Sequence, residues 1–392
     1  MTMDFGLREI NLFCLRKQHL TDDTKLDDVV QIVRDIGGLH ATGSTTPYLS
    51  LFARTWNFAR DDLDRELYVR KTLGKIRCVR GTVYVLTKEM IPIAFSATRR
   101  IGELASERYA EFVGVSKAQY QETSQKILEI IKGKGMATKE IKATLKTGLN
   151  VSAIVNLMCD QGLLIRGRAE AGWRSNTHTY YPFHEYFPDI DLNGLEEAEA
   201  KRLLVRCYLA SFGPVTENDV AWWTGFLKGE VRQMLEGLGD EITQVEISGM
   251  AGRYVMLSSD LGPMQYTKPQ RRHVVNLLPA LDPYLMGYKE RARYLDPEHG
   301  DKVFDRSGNA TSTILLGGRI VGIWDFVEKP RPLVKLYLFR AVARGVRDEI
   351  YAKAQALGVF MADREVEVKE CDAMVPLPRR TAGAFMSPLR DS

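Results

Sequence analysis

Hydrophobic and polar positions repeat one arrangement three times along most of this chain. In the first stretch Ile10, Phe13 and Cys14 make a short helical stripe. Val29, Val30, Ile32, Val33 and Ile36 make a longer one at 3.6-residue spacing. Thr21 with Asp22 or Asp23 can cap that second helix, and Gly37-Gly38 stop it. Pro47 opens a helix reaching about Asn57, and 63–73 gives another. Residues 76–80 and 82–86 then read as two strands around Gly81. The second stretch predicts helices over 117–131 and 138–145 and a third, capped by Asn150 or Ser152, running to Gln161; Gly162 ends it. A hairpin of 163–168 with 177–181 follows. The third stretch predicts helices over 197–212, 217–223 (capped by Thr216) and 228–237, closed by strands over 242–247 and 253–257. Helices followed by a two-stranded antiparallel pair spell a winged helix-turn-helix, and three in tandem mean one architecture reused.

From Tyr266 onward the grammar becomes β-rich. Strands are predicted over 274–278, 313–316, 319–326 and 333–339, with Gly317-Gly318 as a tight hairpin turn, then a helix over 347–357 and a late strand over 365–369. The expected fold class is α+β: three tandem winged helix-turn-helix units followed by a small C-terminal β-barrel-like domain. The expected boundaries are 1–115, 116–190, 191–263 and 264–392. The tail from Pro376, proline-rich and basic, is expected to be mobile.

Composition narrows the class without naming a chemistry. A chain of 392 residues, 45% hydrophobic and 27% charged, is a soluble globular protein too long for one ordinary core. No segment reaches about 18 uninterrupted apolar residues, so no membrane association is expected. The N-terminus lacks a basic patch followed by an apolar run, and five scattered cysteines suit a reducing compartment; a cytoplasmic location is expected. No Cys-x-x-Cys or His-x-x-x-His occurs, and His178 with His184 is too widely placed for zinc, so neither metal nor cofactor is expected. The net charge of +4 permits nucleic-acid binding without demanding it. Arg70, Lys71, Lys75, Arg77 and Arg80 crowd one segment, and Arg271, Arg272, Lys289, Arg291 and Arg293 another. Each cluster reads first as a solvated face and second as a set of phosphate contacts.

Candidate chemistry gathers at Ile36-Gly37-Gly38-Leu39-His40-Ala41-Thr42. An extended backbone there sends His40 and Thr42 to one side and Leu39 and Ala41 inward. A titratable imidazole and a hydroxyl would share one small space, although such a pair in a loop is more often solvated or capping.

Gly38-Leu39-His40-Ala41-Thr42 with Pro47-Tyr48-Leu49-Ser50-Leu51-Phe52-Ala53-Arg54 resembles the signature of the AlkZ/YcaQ family of DNA glycosylases. So do Arg80-Gly81-Thr82-Val83-Tyr84-Val85-Leu86, Phe212-Gly213-Pro214-Val215-Thr216, Asp219-Val220-Ala221-Trp222-Trp223 and Leu278-Pro279-Ala280-Leu281-Asp282-Pro283-Tyr284. The likeness runs in order through nearly the whole chain. Family members carry Gln-x-Gln or Gln-x-Asp where this chain has His40 and Thr42. The resemblance implies a monofunctional hydrolase acting on duplex DNA as a monomer. Its reaction would be cleavage of the N-glycosidic bond to a purine alkylated at nitrogen, bulky adducts and some interstrand crosslinks included. His40 would take a proton from water that Thr42 holds. Arg54, Arg80, Thr82 and Arg291 are the candidate DNA contacts. Asp282 reads as a capping residue before a DNA-facing one, and of Trp222 and Trp223 at least one is expected in the core. The competing readings are a non-catalytic winged-helix DNA-binding protein or transcription regulator, and a protein-interaction scaffold.

Overall fold

A computed structural model describes residues 3–268, 273–374 and 376–377. Arg271 and Arg272 of the second basic cluster, and the expected mobile tail beyond Leu377, lie outside the described residues. The fold is mixed, with helices and strands in the order that the periodicity predicts. Helices Lys117–Ile131, Thr138–Leu145, Glu197–Phe212 and Lys228–Gly237 fall within the predicted bounds. Some helix ends carry a side-chain cap or a glycine: Ser116 accepts from Gln119 N–H at the start of Lys117–Ile131, and Gly225 ends Glu217–Thr224 in the left-handed region.

The first two hairpins do not stay apart. They join in one six-stranded sheet ordered Leu39–His40, Val83–Thr87, Leu73–Arg77, Leu164–Ala169, His178–Pro182, Met136–Ala137, fused where Lys75 pairs with Arg166. The third hairpin, Ile242–Ile247 with Tyr254–Leu257, is extended by Met3–Phe5 running parallel along its edge. Two elements here escape prediction because they are too short to display a period, namely Met3–Phe5 and Leu39–His40.

A third omission is the 23-residue helix Met90–Phe112. Its buried face continues from Ala94 and Phe95 through Thr98, Gly102, Ser106 and Ala110, small or hydroxylated residues that carry almost no apolar periodicity. The small face is what lets Val151–Asp160 and Glu197–Phe212 pack closely on it. A Cβ on Gly102 would lie 3.4 Å from the Asp160 carboxylate, and Ser106 donates to that same carboxylate.

The C-terminal strands form an open sheet, not the expected barrel. Their order is Val275–Leu278, Thr313–Leu316, Arg319–Val327, Leu333–Leu338, Glu367–Glu370, and the two edge strands do not meet among the described residues. Helix Arg344–Ala362 covers one face instead, burying Val346, Ile350, Ala354 and Leu357 against Val334 and Leu336. The apolar surface that closure would have buried is thus already covered.

Candidate nucleic-acid site

Helix Val29–Asp35 leads into the site. Its cap is Asp28, which accepts from Gln31 N–H at 3.0 Å; Asp22 and Asp23, the predicted alternatives, sit in a separate turn, Asp22–Thr24. Gly37 and Gly38 follow at φ +73° and +96°, and a Cβ on Gly38 would meet Leu86 at 2.4 Å. Only glycine lets the chain turn this tightly against the sheet. The next two residues pair with Val83–Thr87, Leu39 opposite Val85 and His40 opposite Tyr84.

Leu39 and Ala41 point into the core, as the alternation predicts, but the other side is not open either. His40 is only 4% exposed, its ring 5.2 Å from that of Tyr84, which in turn meets Trp223 edge-on at 6.3 Å. Thr42 is exposed, and its N–H donates to His40 Nδ1 at 3.4 Å. Burial first, and the Arg80 charge second, hold the imidazole pKa down to about 4. The ring is therefore neutral at pH 7, with the Nδ1 lone pair turned toward the exposed Thr42. At 3.4 Å the contact is long and weak, and too short for a water to stand between the two groups.

Arg80 stands beside the histidine in the left-handed region at φ 54°. The turn that holds it there is closed by Thr82, whose hydroxyl donates to Val79 C=O at 2.8 Å, so Thr82 serves the turn. The Arg80 guanidinium lies 4.2 Å over the Trp222 ring. Arg291 approaches the same indole at 5.9 Å, lies 3.4 Å over Phe304, and donates to Gly308 C=O at 3.0 Å. Among the described residues neither arginine makes an ion pair, and burial pushes the pKa of both downward. Two half-buried cations sharing one aromatic plate can receive an anionic oxygen. The Trp222 plate and its Phe304 flank were not legible as a unit, because 80, 222, 291 and 304 are far apart in sequence; Trp223, by contrast, is the core anchor expected of that pair.

Arg54 is a correction. It has no solvent exposure and grips Asp282 through two 2.8 Å bonds, with Ser50 C=O accepting a third at 2.9 Å. Its charge is spent inside the protein and cannot reach a phosphate. Asp282 also accepts from Ser50 Oγ at 2.7 Å and caps Pro283–Met286 through Tyr284 N–H at 3.0 Å. Thr46 Oγ1 donates to Ala280 C=O at 3.0 Å, so helix Thr46–Phe52, which follows the His40 loop, is bolted to the 278–286 segment.

Comparison with known proteins identifies the family. Residues 33–360 match the family model described as DNA glycosylase AlkZ-like. The chain belongs to the AlkZ-like DNA glycosylase family. It is 23% identical over 339 residues to the interstrand DNA cross-link repair glycosylase of Streptomyces sahachiroi, covering 83% of this chain and 90% of that protein. The solved structure of Streptomyces sahachiroi DNA glycosylase AlkZ superposes with a TM-score of 0.76 at 21% identity, over 94% of this chain and 100% of the other.

In this AlkZ-like glycosylase Arg70, Lys75, Arg77 and Arg293 of the basic clusters make contacts within the protein. Arg77 pairs with Asp160 at 3.3 Å, Arg70 with Glu66 at 2.9 Å, and Lys75 is buried with its amine donating to Tyr68 Oη at 2.7 Å. Arg293 is 2% exposed and donates to Pro214 C=O at 2.9 Å. Among the described residues no group of three or more His, Cys, Asp or Glu side chains could hold a metal ion, and no helix is long and apolar enough to cross a membrane.

Proposed function

We propose that this AlkZ-like glycosylase hydrolyses the N-glycosidic bond of purines substituted at N7 in duplex DNA, bulky and crosslinked adducts among them. The observation that carries the reading is a neutral imidazole in contact with exposed Thr42 beside Arg80, which shares the Trp222 ring with Arg291, neither arginine making an ion pair among the described residues. The Streptomyces sahachiroi relative, named for interstrand cross-link repair, points to the same lesion class. Alkylation at N7 makes the purine a cation, which leaves as a neutral molecule and needs no general acid. What remains is a sugar with oxocarbenium character and a water to attack it.

That water displaces the long Thr42 N–H contact at His40 Nδ1, is held by the Thr42 hydroxyl, and gives its proton to the freed Nδ1 as the C–O bond forms. With a pKa of about 4 the imidazole has the basicity of a carboxylate but lacks its negative charge. Electrostatic help for the developing cation must therefore come from elsewhere. DNA phosphates bound at Arg80 and Arg291 would supply it, converting two unfavourable charges beside the sugar into neutral pairs. We also read the helix-and-hairpin segments 1–115, 116–190 and 191–263 as winged helix-turn-helix units and 264–392 as a β-rich domain, together gripping the duplex as a monomer.

The test is a panel of duplexes carrying N7-methylguanine, bulky N7 adducts or interstrand crosslinks, incubated with the protein and then treated with alkali to cleave abasic sites. Strand breaks confined to the lesion positions are expected. Intact strands throughout the panel, with tight binding to one particular undamaged sequence, would favour a regulator; no complex at low salt would sink any role on DNA.

A further inference from the structure

Leu227 is left unexplained by the fold. It is 74% exposed, although the preceding Phe226 is buried at 5%. It occupies the cap position of helix Lys228–Gly237, and its N–H donates to Glu230 Oε2 at 3.1 Å, so its backbone is fixed while its side chain projects. Two residues earlier Gly225 turns at φ +79°, and a Cβ there would lie 3.7 Å from Arg80 Cγ. Leu227 is therefore two residues along the chain from a turn packed on Arg80, one member of the Arg80–Trp222–Arg291 group.

A single exposed leucine is ordinary on a protein surface. This one differs by where it stands. Glu217–Thr224 and Lys228–Gly237 are two helices joined by a three-residue turn, and Leu227 begins the second, the end by which such helices meet DNA. Proteins that distort a duplex insert an apolar side chain between base steps while cations hold the flanking phosphates. The nearly closed wall around His40 adds a reason for distortion. With 4% exposure the imidazole cannot advance into a groove, so the sugar must be brought toward Thr42.

We infer that Leu227 is a wedge that enters the base stack at the lesion step, presenting the sugar carbon to the water beside His40. This rests on the reading of Arg80 and Arg291 as phosphate contacts. The wedge replaces stacking lost at the step with apolar contact, so it matters for a fully paired lesion and little for one already unstacked.

The experiment compares Leu227→Ala and Leu227→Phe with the wild type on one N7-methylguanine oligonucleotide, fully paired or opposite a one-nucleotide gap. For Leu227→Ala, single-turnover excision from the paired duplex should fall at least about tenfold, and from the gapped substrate less than about twofold. Leu227→Phe, which keeps the apolar bulk, should retain most of the paired-duplex rate. A 2-aminopurine placed beside the lesion should brighten with wild type and stay quenched with Leu227→Ala. Equal losses on both substrates, or no loss on either, would overturn the inference, as would a loss matched by weaker binding of undamaged duplex. The underlying reading is judged separately by Arg80→Ala with Arg291→Ala: wild-type affinity for undamaged duplex would remove the phosphate contacts, whatever the paired-to-gapped ratio of Leu227→Ala.

Discussion

Arg54 and the Arg80–Arg291 pair are candidate DNA contacts placed in opposite circumstances. Arg54 is sealed in the interior, with Asp282 accepting both ends of its fork. Arg80 and Arg291 are half-buried on aromatic faces and make no ion pair among the described residues. Compensation of charge separates the two roles. A guanidinium matched by a buried carboxylate holds the protein together, whereas one that has given up water without gaining a counter-ion is poised for an anion from outside. Substitutions in the first region should therefore act on folding and spare chemistry, and those in the second should do the reverse.

The largest effect expected from this division belongs to the second region. His40→Ala should slow single-turnover excision of N7-methylguanine by about 10²–10⁴-fold, the range for positioned proton transfer, with duplex affinity unchanged. Wild-type excision by that variant would remove His40 from the chemistry. Next comes the first region. Arg54→Ala strands the Asp282 carboxylate in the interior and should cost about 3–5 kcal/mol in the transition that includes helix Thr46–Phe52, read by denaturant titration. Excision measured below that transition should stay near wild type. A variant as stable as the parent but unable to bind duplex would reverse the assignment of Arg54.

How far such roles were legible in advance depended on whether neighbours in space were neighbours in sequence. Capped, glycine-stopped helices such as Lys117–Ile131 carried their own boundaries, and the hairpins carried their alternation. The Gly37-Gly38 turn into His40 was readable for the same reason: everything it needs is local. Met90–Phe112 was not, because a face built of Ala, Gly, Ser and Thr packs well while showing little hydrophobic rhythm. The open C-terminal sheet was not, because whether strands close on each other or accept a helix depends on partners far along the chain. Arg54 misled for that reason too; its counter-ion lies 228 positions away. Nor does any local feature tell that Tyr84, opposite His40 in the sheet, packs its ring against the imidazole.

The phosphate contacts proposed for Arg80 and Arg291 give a smaller, graded effect. Replacing Arg80 or Arg291 by Ala should weaken binding about equally for all sequences and lower the slope of log affinity against log salt by about 1 for each residue. Thermal stability should fall by less than in Arg54→Ala, since among the described residues neither side chain makes an ion pair whose carboxylate would be left buried. An unchanged slope for both variants would erase the contrast with Arg54.

The smallest effect sharpens the contrast within the second region itself, because Arg80 also acts on its neighbour. An unperturbed histidine would lose its basic form below pH about 6.5, but His40, held down to about 4 by burial and then by Arg80, should keep excision level to well below pH 6. Removing the Arg80 charge makes the imidazolium less unfavourable, so the pKa rises and the acid limb of the rate profile moves to higher pH in Arg80→Ala. Folding obeys the same sign. His40 is depressed relative to the unfolded chain, as is His178, held to about 4 by burial and by Lys75 and Arg166. The unfolded state binds protons first as pH drops, so stability present above about 6.5 is lost progressively as pH falls toward 4. Arg80→Ala should soften the His40 part of that loss and leave the His178 part intact. An acid limb in Arg80→Ala that coincides with the wild type, measured on the same N7-methylguanine duplex after subtracting spontaneous depurination, would mean that the guanidinium and the imidazole do not sense each other. Arg80 would then touch the reaction only through the phosphate it holds.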